Sequence, residues 1–304
     1  MPKPKGTNEI EKQIIWRGLL AGAAAGVLAF GFARIFAAPQ TARAIEYEDG
    51  VRAAREAMDS PGGHAGHGEN VDLFTRTVQM NIGMGLGLLA FSVAIGALFA
   101  VVFAVAYGRV GDVSARLLSL YIAGGMLLSL YVVPNLKYPA SPPALSLDQT
   151  VRERTLLYVL MVVLSGALLI GAVVLARRWV AKLGAFNGAL AAAGAYATTM
   201  AIVMFALPTI NETPAPLRDA TGAIVYEGFP ADVLYYFRLY ALGTQVVIYT
   251  TIGLVLGAMM SRLVAERQKT SSELCRPIPR LGGHPALSPE PVSSGIQVSS
   301  GDRV

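Results

Sequence analysis

Residues 155–176 read TLLYVLMVVLSGALLIGAVVLA, twenty-two positions without a charge, closed at one end by Arg152-Glu153-Arg154 and at the other by Arg177-Arg178. A helix rising about 1.5 Å per residue needs about 20 apolar residues to cross a hydrocarbon core of about 30 Å, so this run predicts a membrane span. Working outward, five more runs approach or exceed that length, near 14–37, 78–107, 115–134, 185–207 and 235–260. The whole chain agrees: 304 residues are 54% hydrophobic and only 15% charged, where a soluble domain carries roughly 25% charge. The expected fold is an all-α polytopic membrane protein with six transmembrane helices. A soluble enzyme, a disordered chain and a disulfide-stapled module are excluded. Cys275, the single cysteine, leaves no internal disulfide and no cysteine-based metal site. The net charge of +5 comes without a basic stripe or interleaved aromatics, so no nucleic-acid partner is expected. Lys3, Lys5 and Lys12 precede the first run and Ala42-Arg43-Ala44 resembles a cleavage site, but the run exceeds the about 7–15 apolar residues of a secretory signal and reads as an uncleaved helix.

Six spans return the chain to the side on which it began, and the charges indicate which side that is. Segments on the side of the termini carry 15 Lys and Arg against 7 Asp and Glu, net +8, whereas the other side carries 10 against 13, net −3. Excess Lys and Arg stays in the cytoplasm, so both termini are expected there. The organisation is then a cytoplasmic N-terminus over 1–13, a membrane domain over 14–260 with outer loops at 38–77, 135–154 and 208–234, and a cytoplasmic tail over 261–304. The tail is rich in Ser, Pro and Gly and reads as disordered. Gly18, Gly22 and Gly26 recur at every fourth residue, as do the pairs Gly83/Gly87, Gly184/Gly188 and Gly253/Gly257. That spacing predicts helices in close contact.

The long outer loops hold the candidates for chemistry. His64 and His67 lie in the first, as HAGH, with Glu69 and Asp72 following and Glu46, Glu48, Asp49, Glu56 and Asp59 before them. Imidazole with carboxylate suits divalent cobalt, nickel or zinc, and an acidic loop concentrates cations. A solvated glycine-rich loop without fixed geometry is the alternative reading of the same residues. In the second loop, Pro134, Pro139, Pro142 and Pro143 fall within ten residues and forbid a regular helix. The segment around Lys137 and Tyr138 reads as a stiff plug or gate at the outer mouth, although Lys137 could equally snorkel to the surface. The third loop runs from Leu207-Pro208 through Glu212 to Phe229-Pro230-Ala231-Asp232, and Arg238 enters the last apolar run just beyond. An ionisable residue in a span is a functional candidate whose partner should be named; Glu212 or Asp232 is expected to pair with Arg238. Arg34 near the outer end of the first span and Gln245 in the last complete the groups able to line an ion path. No GxxxxGK[ST], HExxH or GxSxG motif occurs, so no enzyme activity is expected.

Five pieces together resemble the CbtA family of predicted cobalt transporter subunits: Phe32-Ala33-Arg34-Ile35-Phe36 with the acidic run to Asp49; HAGH leading into Arg76-Thr77-Val78-Gln79; Tyr107-Gly108-Arg109-Val110-Gly111; Pro134 to Pro143 with Arg154-Thr155 and Tyr158; and Leu207-Pro208 through Glu212 and Phe229-Pro230 to Phe237-Arg238 and Gly243-Thr244-Gln245. The resemblance spans about residues 15 to 260. It implies a bacterial inner-membrane subunit of a cobalt uptake system serving corrinoid synthesis, with cobalt(II) as cargo and no permanently bound cofactor. It also implies a small CbtB-like partner bearing histidines, and self-association of the chain is left open. The stretch from Ala215 to Glu227 is longer than the resemblance leads one to expect. A different reading of the same membrane domain is a structural or regulatory subunit that organises a transporting partner without carrying the ion itself.

Overall fold

In hydrocarbon a backbone must satisfy its own hydrogen bonds, and the apolar runs accordingly form helices in the computed structural model of the chain. The structure describes residues 5–59, 82–111, 113–142, 145, 148–210 and 212–274. Among these, 6 helices are long and apolar enough to cross a membrane. They are α1 (Lys5–Asp59), α2 (Met84–Ala106), α3 (Ala115–Lys137), α4 (Asp148–Leu183), α5 (Ala185–Ala206) and α6 (Ala231–Leu274). The chain is thus an all-α polytopic membrane protein. It separates into two units, residues 1–264 and 265–304; the described part of the second, 265–274, is helical.

Hydropathy locates the spans but understates the helices. The first outer segment, read as a loop from residue 38, is helical through Asp59, so that α1 has 55 residues and is about 80 Å long at about 1.5 Å per residue. Alanines and charged helix formers carry it past the point where hydropathy fails, and Arg52 pairs with Asp49 one turn away at 2.7 Å. Pro39 lies inside this helix and removes one N–H; nearby, the Thr41 hydroxyl donates to the Ala37 carbonyl at 3.2 Å. At the other end of the chain, residues 261–274, expected to be disordered, continue α6. α3 changes register within itself. It is α-helical over Ala115–Met126, makes a π turn at Leu127–Val132 and resumes over Val133–Lys137. Pro134 stands in the first turn of the resumed helix, where a missing N–H costs little.

Small residues set the closest helix contacts. A Cβ added at Gly18 would lie 2.5 Å from the Gly96 carbonyl oxygen, and one at Gly22 2.4 Å from that of Ser92, so α1 and α2 meet backbone to backbone. Gly253 and Gly257 of α6 receive Ala123 and Ser119 of α3 in the same way, and the Ser119 hydroxyl donates to the Gly253 carbonyl at 2.7 Å. Among the described residues Gly83 and Gly87 meet nothing within 4 Å, so the spacing carries no contact there. Around these crossings α1, α2, α3 and α6 share one core that includes Ala25, Phe99, Phe103, Ile252 and Leu256. α4 and α5 form an antiparallel pair joined through Gly184, whose φ of 80° lies in the left-handed region. They meet α3 through Val133, Tyr138, Met161 and Met200.

The two ends of the bundle differ in chemistry. One is basic: Arg17 donates to the Met259 carbonyl at 2.7 Å, Arg116 to the Ser261 hydroxyl at 3.1 Å and Arg177 to the Arg109 carbonyl at 2.6 Å. This places the start of α1 beside the last turns of α6's membrane part. The opposite, loop end carries residues 138–142, 208–210 and 212–230. There the stretch from Ala215 to Glu227 forms a β ribbon, β1 (Leu217–Arg218) antiparallel to β2 (Ile224–Tyr226). Its turn is closed by the Asp219 carboxylate, which accepts from the Thr221 amide and hydroxyl and from the Ala223 amide. Those bonds, the Thr221 hydroxyl foremost, hold the Asp219 carboxyl below its usual range. Tyr226 packs against Gly50, where any Cβ would collide with its hydroxyl, and Tyr47 donates to the Glu227 carbonyl at 3.1 Å. The extension of α1 therefore supports the ribbon.

Candidate functional site

Prolines accept hydrogen bonds through their carbonyls but donate none. The segment Tyr138-Pro139-Ala140-Ser141-Pro142 is therefore rich in acceptors and poor in donors, and it is fixed by donors brought from elsewhere. Arg154 of α4 donates through Nη2 to the Pro139 carbonyl, and Arg238 of α6 donates through Nε to the Ala140 carbonyl at 3.2 Å. The Ala140 amide donates to Asn135 Oδ1 at 3.0 Å, and the Tyr138 hydroxyl to the Pro208 carbonyl at 2.8 Å. Tyr138, Pro134 and Pro142 are fully buried. Burial pushes the Tyr138 phenol above its usual range, in keeping with a proton held against a carbonyl. The proline segment is thus a structured plug seated in the loop end.

Glu212 joins this network from the third loop. Its Oε2 pairs with Arg154 Nη1 at 2.5 Å and its Oε1 accepts from the Thr150 hydroxyl at 2.6 Å. The Glu212 side chain is 5% exposed and that of Arg154 21%, so neither charge is well served by water. Behind the pair lies a cavity of about 40 Å³ lined by Tyr138, Ser141, Arg154, Glu212, Thr213 and Arg238 among others. That is room for about three waters. Two guanidiniums against one carboxylate leave it formally positive. A divalent cation gains nothing there while Arg154 holds Glu212.

Two wider clefts lie at the same end of the bundle. One, of about 390 Å³, is walled by Phe229, Leu234, Tyr235, Leu239 and Leu242 with Arg238 at its edge. The other, of about 380 Å³, runs between α3 and α4 and includes Tyr131, Asn135, Thr155 and Tyr158. The same guanidinium, Arg154, borders the small cavity and this second cleft.

The residues singled out in the sequence fall into three groups. Tyr138, Glu212 and Arg238 are brought together around the small cavity. Arg34 and Glu46 are exposed on α1, Lys137 is half-buried at the end of α3, and Gln245 lies in α6 with a buried Oε1 that has no hydrogen-bond partner among the described residues; none of these four lines the cavity or either cleft. His64, His67, Glu69 and Asp72 lie outside the described residues. One expected pairing is different in the structure: Glu212 binds Arg154, and Arg238 is held by the Ala140 carbonyl. The reason is the donor deficit of the proline segment, which draws both arginines, and the position of Thr150 and Arg154 one helical turn apart on α4, where they grip both oxygens of one carboxylate. In the sequence Arg154 is marked only as part of a segment that carries the family resemblance, with no role of its own. The signal available was its place beside a loop whose carbonyls outnumber its amides.

Six span-capable helices, with a charged and tightly bonded constriction at one end and basic residues at the other, define a polytopic membrane protein with a polar mouth. The chain belongs to the CbtA family, described as probable cobalt transporter subunit (CbtA), which matches residues 11–261. The match takes in the membrane part of every helix, the proline plug and Glu212, and stops short of the tail. As a subunit family it points to an assembly with at least one further component. Comparison with curated proteins and with solved structures returns no match.

Proposed function

We propose that this protein is the membrane subunit of a divalent-cation uptake system that carries cobalt into the cell for corrinoid synthesis, seated in a bacterial inner membrane with both termini in the cytoplasm. The family match across the whole membrane part is the observation that carries the reading. The net charge of +8 on the side of the termini against −3 on the other supports the orientation. In this reading His64, His67, Glu69 and Asp72 collect the ion, Glu46 and Glu212 pass it inward, and a CbtB-like histidine-bearing chain completes the assembly. Because its charge is matched by Arg154, Glu212 attracts an ion only once Arg154 lets go. A doubly charged ion moving through about 100 mV gains about 4.6 kcal/mol, enough for accumulation of about three orders of magnitude without nucleotide hydrolysis.

Uptake of radioactive cobalt by cells producing this chain, alone and with the partner, tests the proposal. Cobalt is expected to enter when both chains are present, and entry is expected to fall severalfold in the double variant His64→Ala/His67→Ala. Proteoliposomes holding both chains that carry neither cobalt, nickel nor zinc would leave the non-transporting, organising role.

A further inference from the structure

The cleft of about 390 Å³ runs along α6. Ala231, Leu234, Tyr235, Arg238, Leu239 and Leu242 line it from one face of that helix, with Phe229, Thr213 and Asn135 of α3 completing the wall. Eleven positions at about 1.5 Å each give it a length of about 16 Å. Its wall is open to the surroundings of the bundle, since Tyr235 is 62% exposed and Leu239 44%. Tyr235 and Tyr236, with ring centroids 5.4 Å apart, stand in the second turn of α6. Tyrosines gather where a span meets the headgroups, so the cleft starts at that depth and reaches into hydrocarbon at Leu242.

Within it lies an unanswered charge. Arg238 is the one charged residue on the described wall. Its Nε donates to the Ala140 carbonyl at 3.2 Å, and its other four N–H groups find no acceptor among the described residues. Glu212, the nearest carboxylate on the adjoining cavity, is taken by Arg154, whose own guanidinium borders that cavity too. An arginine near a membrane surface ordinarily turns its head to water. The bond to Ala140 instead keeps this one beside the plug.

The remaining polar groups select the sign of an occupant. Asn135 spends its Oδ1 on the Ala140 amide and keeps its side-chain N–H donors. No carboxylate lines the cleft among the described residues, so neither a metal cation nor an ammonium group meets a counter-charge there. A guanidinium and amide donors above a strip of leucines suit an anion that carries its own hydrocarbon. Guanidinium matches phosphate oxygens in geometry as well as charge, and basic pockets between transmembrane helices hold anionic headgroups.

We infer that this cleft binds an anionic phospholipid, with its phosphodiester on Arg238 and Asn135 and an acyl chain along Leu239 and Leu242. The lipid supplies the counter-charge that the described protein withholds from Arg238, and it bears on the plug through the bond from Arg238 to Ala140. The inference stands on the cleft alone and is independent of which ion is carried.

Brominated lipids quench tryptophan on contact and so locate the lipid. The full chain is prepared with Trp16→Phe and Trp179→Phe, which removes both native tryptophans. It carries one reporter: Tyr235→Trp at the cleft, or Leu254→Trp at an exposed position of α6 farther from the loop end. Bilayers of phosphatidylcholine with a minority of phosphatidylglycerol are used, bromine being placed on the chains of one lipid or the other. Brominated phosphatidylglycerol is expected to quench the reporter at 235 severalfold beyond its share of the bilayer, and the reporter at 254 only in proportion. Arg238→Gln, which keeps an N–H for Ala140 but removes the charge, should abolish the excess, and Arg238→Lys should retain part of it. Quenching at 235 in proportion to composition overturns the site and leaves Arg238 to a carboxylate of another subunit. An excess that survives Arg238→Gln overturns it as well. The comparison of the two lipids leaves Arg238 in place, so it decides even where a variant at 238 fails to fold.

Discussion

Glu212 is where the loop end is held together: one carboxylate, 5% exposed, receives a guanidinium and a hydroxyl from consecutive turns of α4. Removing one member of such a pair strands the other charge in a poorly solvated place, at a cost of about 3–5 kcal/mol. Glu212→Ala and Arg154→Ala are each expected to lower the thermal midpoint of the purified protein substantially. The double variant Arg154→Ala/Glu212→Ala should lose less than the two single changes combined. Additive losses in that cycle would mean that the two side chains do not act on one another. At this scale the sequence was legible in part. Arg238 and Glu212 stood out as ionisable groups near apolar runs, and both border the cavity. Their partners were not legible, because pairing is decided by which carbonyls lack donors after Pro139 and Pro142 have removed two amides, a count that becomes meaningful only once α4 and α6 are known to flank the segment.

Among the elements, the glycine-patterned helices give the sharpest contrast between pattern and contact. Gly22 and Gly87 both belong to four-residue glycine repeats, yet a Cβ at Gly22 would sit 2.4 Å from the Ser92 carbonyl, whereas one at Gly87 meets nothing within 4 Å among the described residues. Alanine is a better helix former than glycine by about 0.5–1 kcal/mol. Gly87→Ala is therefore expected to leave stability unchanged or slightly raised, and Gly22→Ala to destabilise by about 1–3 kcal/mol because two backbones must separate. Thermal unfolding in detergent compares them, and equal midpoints would show that α1 and α2 do not pack through Gly22. The six helices themselves were plainly legible, since hydropathy measures what a bilayer selects. Their lengths were not: α1 beyond Ala37 and α6 beyond Met260 are held by helix propensity and by contacts such as Tyr47 with Phe229, to which a hydropathy window is blind. The β ribbon was missed although Asp219 and Gly222 lie between Leu217 and Ile224-Val225-Tyr226, a turn signal between short apolar stretches.

For the molecule as a whole, the separation of a basic end from a loop end matches the way the sequence divides its charge, and the proposed orientation follows from it. In a Cys275→Ser background, Ala57→Cys on the α1 extension should react with an impermeant thiol reagent added to intact cells. Lys182→Cys at the end of α4 should react only after the membrane is opened. The opposite pattern would invert the orientation and remove the capture role of the first loop. Burial is uneven across the bundle. Only 11% of the most apolar window of α4 and 17% of that of α5 is buried, against 44% in both α3 and α6. Stability distributed this way is not lost in one step, and the outlying pair is the first to give. Arg154, which holds both the proline plug and Glu212, rides on that pair. On the proposed function, the packing that keeps α4 and α5 against α3 also governs how firmly the plug is held, so a substitution at Met161 or Met200 is expected to change permeability as well as cooperativity.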